Sequence, residues 1–131
     1  MKTLTEQLKK RITSVEAAYK ETGRPKVDFS VFPEDLRLYE KGHYDAIVLI
    51  EAARKIEKEN GKGEIDWTNS NQYKWLPWFR MSPSAFAFCG SFYDHTNAGA
   101  GSGSRLRVLS EESSDYLRET FPEVWEIVQL K

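Results

Sequence analysis

The chain is short of the side chains that usually carry metal, redox or nucleophilic chemistry. Its 131 residues include one cysteine and two histidines. A lone cysteine excludes an internal disulfide and fits a reducing compartment. One cysteine and two histidines without paired spacing are too few for a metal centre, so no metal and no cofactor is expected. Long apolar runs are also missing. Nothing approaches the roughly 18 consecutive apolar residues of a membrane span, and the opening MKTLTEQLKK lacks the apolar core of a secretory signal. Charge of one sign is missing too: 19 basic and 20 acidic residues leave a net charge of −1. That balance leaves no footprint for a nucleic-acid polymer or an anionic membrane. These absences predict a cytoplasmic protein. A chain of this length is expected to fold as one domain spanning residues 1–131.

What the chain has is helical periodicity at both ends and an aromatic stretch between them. Leu4, Leu8, Ile12, Val15 and Tyr19 make one apolar stripe, which predicts a helix over 3–21. Thr3 and Glu6 fit a capping box, and Gly23 with Pro25 ends the segment. Val27, Phe29 and Val31 alternate with polar neighbours, as in a short edge strand or an extended loop. Pro33 opens a second helix that runs to Asn60, with room for an irregularity at Gly42. Ala46, Ile47, Ile50, Ala53 and Ile56 form its buried stripe, and this is the expected core helix. Ser110 caps a C-terminal helix reaching Leu130, which Pro122 kinks or splits.

Between these helices the period changes to two. Strands are predicted over about 72–81, 85–94 and 104–109, with an edge position or a bulge at Pro77. The expected class is α+β: N-terminal helices, a small three-stranded antiparallel meander, and a C-terminal helix packed on one sheet face. Alternation turns Leu106 and Val108 inward and Arg105 and Arg107 outward. The open face would then carry Arg105, Arg107, Tyr93 and His95, with Trp78 and either Lys74 or Arg80.

Cations and aromatics around small residues suit a planar anionic ligand, because guanidinium forks pair with phosphate and aromatic rings stack on bases. On this reading Arg105 and Arg107 hold phosphate, and Trp67, Trp75, Trp78 and Tyr93 stack. Asn69 and Asn71 read base edges, while Ser104 closes a Gly/Ser loop able to offer backbone N–H groups. That loop precedes a strand and lacks a Gly-Lys-Ser/Thr ending, so it is no Walker A. Catalysis finds little footing. Cys89 and His95 are six residues apart, too far along a straight strand for a nucleophile and its base.

The run DWTNSNQYKWLPWF, residues 66–79, resembles a segment of small accessory proteins carried by gut-bacterial phages and prophages, and Gly103-Ser104-Arg105-Leu106 resembles a second one. Phe32-Pro33-Glu34 before the long helix is similar to a third. The chain departs from that pattern at Arg107, where the family has cysteine, and in its longer AGAGSG loop. The resemblance implies a mobile-element protein acting in the host cytoplasm. The expected function is non-catalytic: sequestration of a small phosphorylated or nucleotide-like molecule, such as a host immune signal. The alternative is a protein-interaction or virion-associated module that uses the aromatics as an apolar patch. Either form is compatible with a homo-oligomer.

Overall fold

The computed structural model describes residues 3–69, 71–81, 86–94 and 104–130, with the backbone alone over 78–81 and 86–94 and at Ser104. Five α-helices dominate: α1 (Leu4–Arg11), α2 (Val15–Thr22), α3 (Glu34–Glu59), α4 (Glu111–Thr120) and α5 (Pro122–Leu130). Two strands, β1 (Lys74–Met81) and β2 (Phe86–Asp94), pair antiparallel.

The first predicted helix is two helices. Thr3 caps α1 by accepting the Glu6 N–H at 3.1 Å. The helix stops at Ile12, and Ser14 starts α2 by accepting the Ala17 N–H at 3.0 Å. The stripe survives this break: Leu4, Leu8 and Ile12 are buried, and Val15 and Tyr19 pack against the same core. Gly23 ends α2 at φ 73°, a conformation that favours glycine, with its N–H on Tyr19 O. Of the edge strand or extended loop that the sequence allows after it, the strand does not form: 24–28 carry no regular element, and a 3₁₀ turn over Phe29–Val31 follows, started by the Asp28 carboxylate.

The long helix α3 is continuous through Gly42, so no irregularity forms there. Gly42 is where α5 crosses: a Cβ at that position would overlap the Ile127 side chain. Of the predicted stripe, Ala46, Ile50, Ala53 and Ile56 are fully buried, as is Leu49 beside them, whereas Ile47 is only half-buried; α2 and α5 pack along this helix. Each large aliphatic side chain removed from water stabilises the fold by roughly 1.5–3 kcal/mol. Pro122 splits the last helix as the sequence predicts, and Phe121, Val124 and Trp125 are buried around the junction.

The α+β meander is corrected. Among the described residues the protein is predominantly helical, and its one sheet has two strands. A bulge falls between Trp78 and Phe79, next to the proline that suggested one. The predicted third strand is a 3₁₀ turn over Ser104–Leu106 followed by a single bridge, in which Trp75 and Val108 exchange N–H···O bonds of 2.8 and 3.0 Å. Pairing goes no further, because Ser110, the next residue whose N–H would face β1, already begins the turn into α4. The Leu109 N–H points at the Glu57 carboxylate of α3, 2.9 and 3.1 Å from its two oxygens. Ser110 then turns the chain into α4, accepting the Ser113 N–H and donating its own hydroxyl to Glu57 at 2.7 Å.

Candidate cationic cleft

The side of α3 away from the core stripe carries Glu51, Arg54, Lys55 and Lys58. At 100° per residue these four fall on one stripe, and seven residues of helix spread them over about 10 Å. Two clefts open along it. The first, of about 460 Å³, lies between this stripe and the chain that follows α3, with Trp67 and Leu109 on the far wall. The second, of about 470 Å³, lies between Glu51, Lys55 and the Gly23-Arg24-Pro25 turn that ends α2. Glu51 and Lys55 line both.

Every lysine and arginine here is placed by a partner. Arg54 donates from Nε to the Arg107 carbonyl at 2.6 Å, which ties the stripe to the segment after the 3₁₀ turn. Burial pulls the Arg54 guanidinium below its ordinary pKa, with Glu57 and Glu51 acting against that. Lys55 donates to the Glu21 carbonyl at 2.8 Å, and Lys58 to Glu64 at 2.7 Å. Arg24 grips Glu51 with both edges of its fork: Nε and Nη2 each stand 2.8 Å from a carboxylate oxygen. Arg105 approaches the same carboxylate at 3.6 Å. Hydrogen bonding from Arg24, helped by the charges of Arg105 and Arg54, holds Glu51 below the ordinary carboxylate range, against the opposing effect of burial.

The far wall is a self-satisfied turn. The Asp66 carboxylate accepts the Thr68 N–H and hydroxyl at 2.9 and 2.6 Å, which lowers its pKa. Gln72 accepts the Asp66 N–H and donates to Glu64 O. Lys74 is fully buried beneath this turn; its ammonium donates to the carbonyls of Asn69 and Gln72 and sits 5.3 Å from the Trp67 ring centre. Trp67 is thereby held at the cleft wall.

The ten residues selected from sequence separate. Trp67 lines the first cleft and Arg105 reaches its Glu51 wall. Arg107 is half-buried and stands behind the cleft, where its carbonyl receives Arg54. Asn69 and Asn71 are exposed on the turn, and the Asn69 side-chain oxygen accepts the Asn71 N–H at 2.9 Å, closing an Asx turn. Trp75, expected to stack on a ligand, packs against the core beside Val108. Lys74, expected on the open face, is in the interior for the reason just given. Trp78 and Tyr93 belong to β1 and β2, and Ser104 to the 3₁₀ turn; their side chains, and all of His95, lie outside the described residues. Arg105 does not alternate with Leu106 on a strand, because a 3₁₀ turn sets its direction.

Sequence reasoning missed Arg24, Arg54, Lys55 and Lys58. The spacing of the last three was a usable signal, since it puts three cations on one helix stripe, but a charged helix exterior carries that pattern without any ligand. Among the described residues, no group of His, Cys, Asp and Glu could hold a metal ion, and no helix is long and apolar enough to cross a membrane. No family model matches the chain, and neither a curated protein nor a solved structure matches it.

Proposed function

We propose that this protein binds a small phosphorylated or nucleotide-like molecule in the cleft beside α3, without transforming it. The observation that supports this is the convergence of Arg54, Lys55, Lys58 and Trp67 on one cavity of about 460 Å³. The volume suits a mononucleotide-sized ligand, and three cations against the carboxylates of Glu51 and Glu64 leave a net positive lining for phosphate, with an indole for a base and apolar Ile65 and Leu109 beside them. In the setting implied by the resemblance to phage accessory proteins, such binding would sequester a host signal in the cytoplasm.

A ligand-release experiment tests the proposal. The protein is purified from host cells with an active nucleotide-signalling defence, heated, and the supernatant is read by mass spectrometry. A phosphorylated compound at near-stoichiometric yield, lost in Lys58→Glu, supports it. A clean supernatant combined with no thermal shift against a nucleotide panel overturns it. A protein-interaction module is the second reading. It is favoured by the exposed apolar side chains Val27, Val31, Leu36 and Leu38 on the connector and the start of α3, rather than by the aromatic stretch.

A further inference from the structure

The junction of the two clefts is already occupied by an anion, and that anion is the protein's own. Glu51 is the one acidic side chain that lines both clefts. Two arginines from distant parts of the chain converge on it: Arg24 from the turn after α2, and Arg105 from the 3₁₀ turn before α4. Arg24 makes the two-pronged contact that guanidinium offers equally to carboxylate and phosphate, and Arg105 stands at 3.6 Å from the same Oε2. Neither arginine is needed to fill the core, since both are exposed. Exposed ion pairs contribute little net stability, so the fold loses little when this one is exchanged for another.

The geometry points to an oxyanion subsite formed by Arg24 and Arg105, in which the Glu51 carboxylate holds the place of a ligand's terminal phosphate. This inference rests on the reading of the cleft as an anion site and names the class of ligand it takes. Glu51 carries a single charge, and its lowered pKa keeps it charged at neutral pH. An incoming anion must displace that charge from the two guanidinium groups or share them with it. A phosphomonoester carries about −1.5 to −2 charges at pH 7 and has three terminal oxygens. It is therefore drawn to two arginines more strongly than a monoanion is. A phosphodiester carries a single charge and has no such advantage. The subsite accordingly selects molecules with a terminal phosphate and disfavours cyclic or internal diesters. Glu51 tempers that preference, because its charge repels a dianion about twice as strongly as a monoanion. Lys55, which also lines both clefts, links this subsite to the Trp67 wall.

The test uses the full chain labelled with nitrogen-15, inorganic phosphate as the dianionic probe and dimethyl phosphate as the monoanionic one. The readouts are the arginine Nε–H and tryptophan indole N–H resonances at pH 7.5, assigned with Arg24→Lys, Arg105→Lys and Trp67→Phe. Phosphate is expected to shift the Arg24 and Arg105 signals with at least tenfold higher affinity than dimethyl phosphate. In Glu51→Gln both probes should bind more tightly, phosphate by the larger factor, so the preference should widen at least threefold. Equal affinity of the two probes for the native protein, or a preference that does not widen in Glu51→Gln, overturns the subsite. Phosphate shifts confined to Trp67 also overturn the subsite but leave the cleft reading standing. Shifts at none of these groups overturn both. Arg24→Lys keeps the charge and removes the fork, so it should bind phosphate at least tenfold more weakly while its unfolding midpoint stays within the error of the native protein's.

Discussion

Glu51 and Glu57 sit six residues apart on α3, and their carboxylates live in opposite surroundings. Glu51 faces outward, is gripped by Arg24 and approached by Arg105, and is held more acidic than usual. Glu57 faces inward, is completely buried, and is satisfied by neutral donors: the Leu109 N–H and the Ser110 hydroxyl. Burial pushes its pKa up, and those hydrogen bonds offset only part of the effect. The contrast shows how one helix serves two purposes. Its inner acid organises the chain, holding the Leu109–Ser110 junction at which α4 starts. Its outer acid stabilises little and stands at the entrance of two clefts, where exchange of partners is inexpensive.

The largest effect expected from breaking this contrast is on the inner side. Glu57→Ala removes the acceptor for the part-buried Leu109 N–H and for the buried Ser110 hydroxyl, which keeps Ser113 as a second partner; a group of this kind left unpaired costs roughly 1–3 kcal/mol. Urea denaturation should show a loss of about 2 kcal/mol; a loss below about 1 kcal/mol would mean that Glu57 organises nothing. Ser110→Ala deletes both the α4 cap and one Glu57 donor, and should cost about 1–2 kcal/mol by the same measurement. Glu51→Gln should change stability by less than about 1 kcal/mol, because Glu51 is only half-buried and its partner Arg24 is exposed, so solvent screens the pair.

The sharpest form of the comparison is in pH. A carboxyl whose folded pKa is raised stabilises most below its unfolded value and loses that contribution as pH rises through the folded value. Glu57 follows this rule, so the stability cost of Glu57→Gln should be largest in acid and shrink towards neutrality. A carboxyl whose folded pKa is lowered stabilises above its unfolded value and loses that contribution as pH falls through the folded value. Glu51 follows that rule, so the small cost of Glu51→Gln should vanish in acid. Unfolding midpoints of both variants and the native protein, measured from pH 3 to 8, would refute the contrast if the two cost curves sloped the same way.

The helices were legible in the sequence because their information is local. Leu4, Leu8 and Ile12 repeat at helical spacing, Thr3 and Ser110 sit where caps belong, and Pro122 cannot continue a helix from Phe121. The break at Ile12 was not legible, because the apolar stripe runs straight across it and only the Ser14 cap marks it. The missing third strand was not legible either. Arg105 to Val108 alternates as a strand should, but Ser104–Leu106 is wound into a 3₁₀ turn and Ser110 already caps α4, which leaves Val108 alone to pair. Alternation reports what a segment could bury, not how the turns on either side take up its length. The site was not legible because its parts are distant in sequence. Trp67 and Arg105 were found by residue type, whereas the cations opposite them belong to a helix whose partners, Glu21, Glu64 and Arg107, come from three other segments.

The measurement that bears most directly on the cationic cleft is calorimetric titration of pyrophosphate into the native protein and into Lys58→Glu. Lys58 is exposed at the cleft wall, and its pair with Glu64 is exposed as well, so the variant should keep its unfolding midpoint. Saturable binding by the native protein, weakened at least tenfold in the variant, is the result the cleft predicts. No binding by the native protein, or equal binding by both, would contradict it.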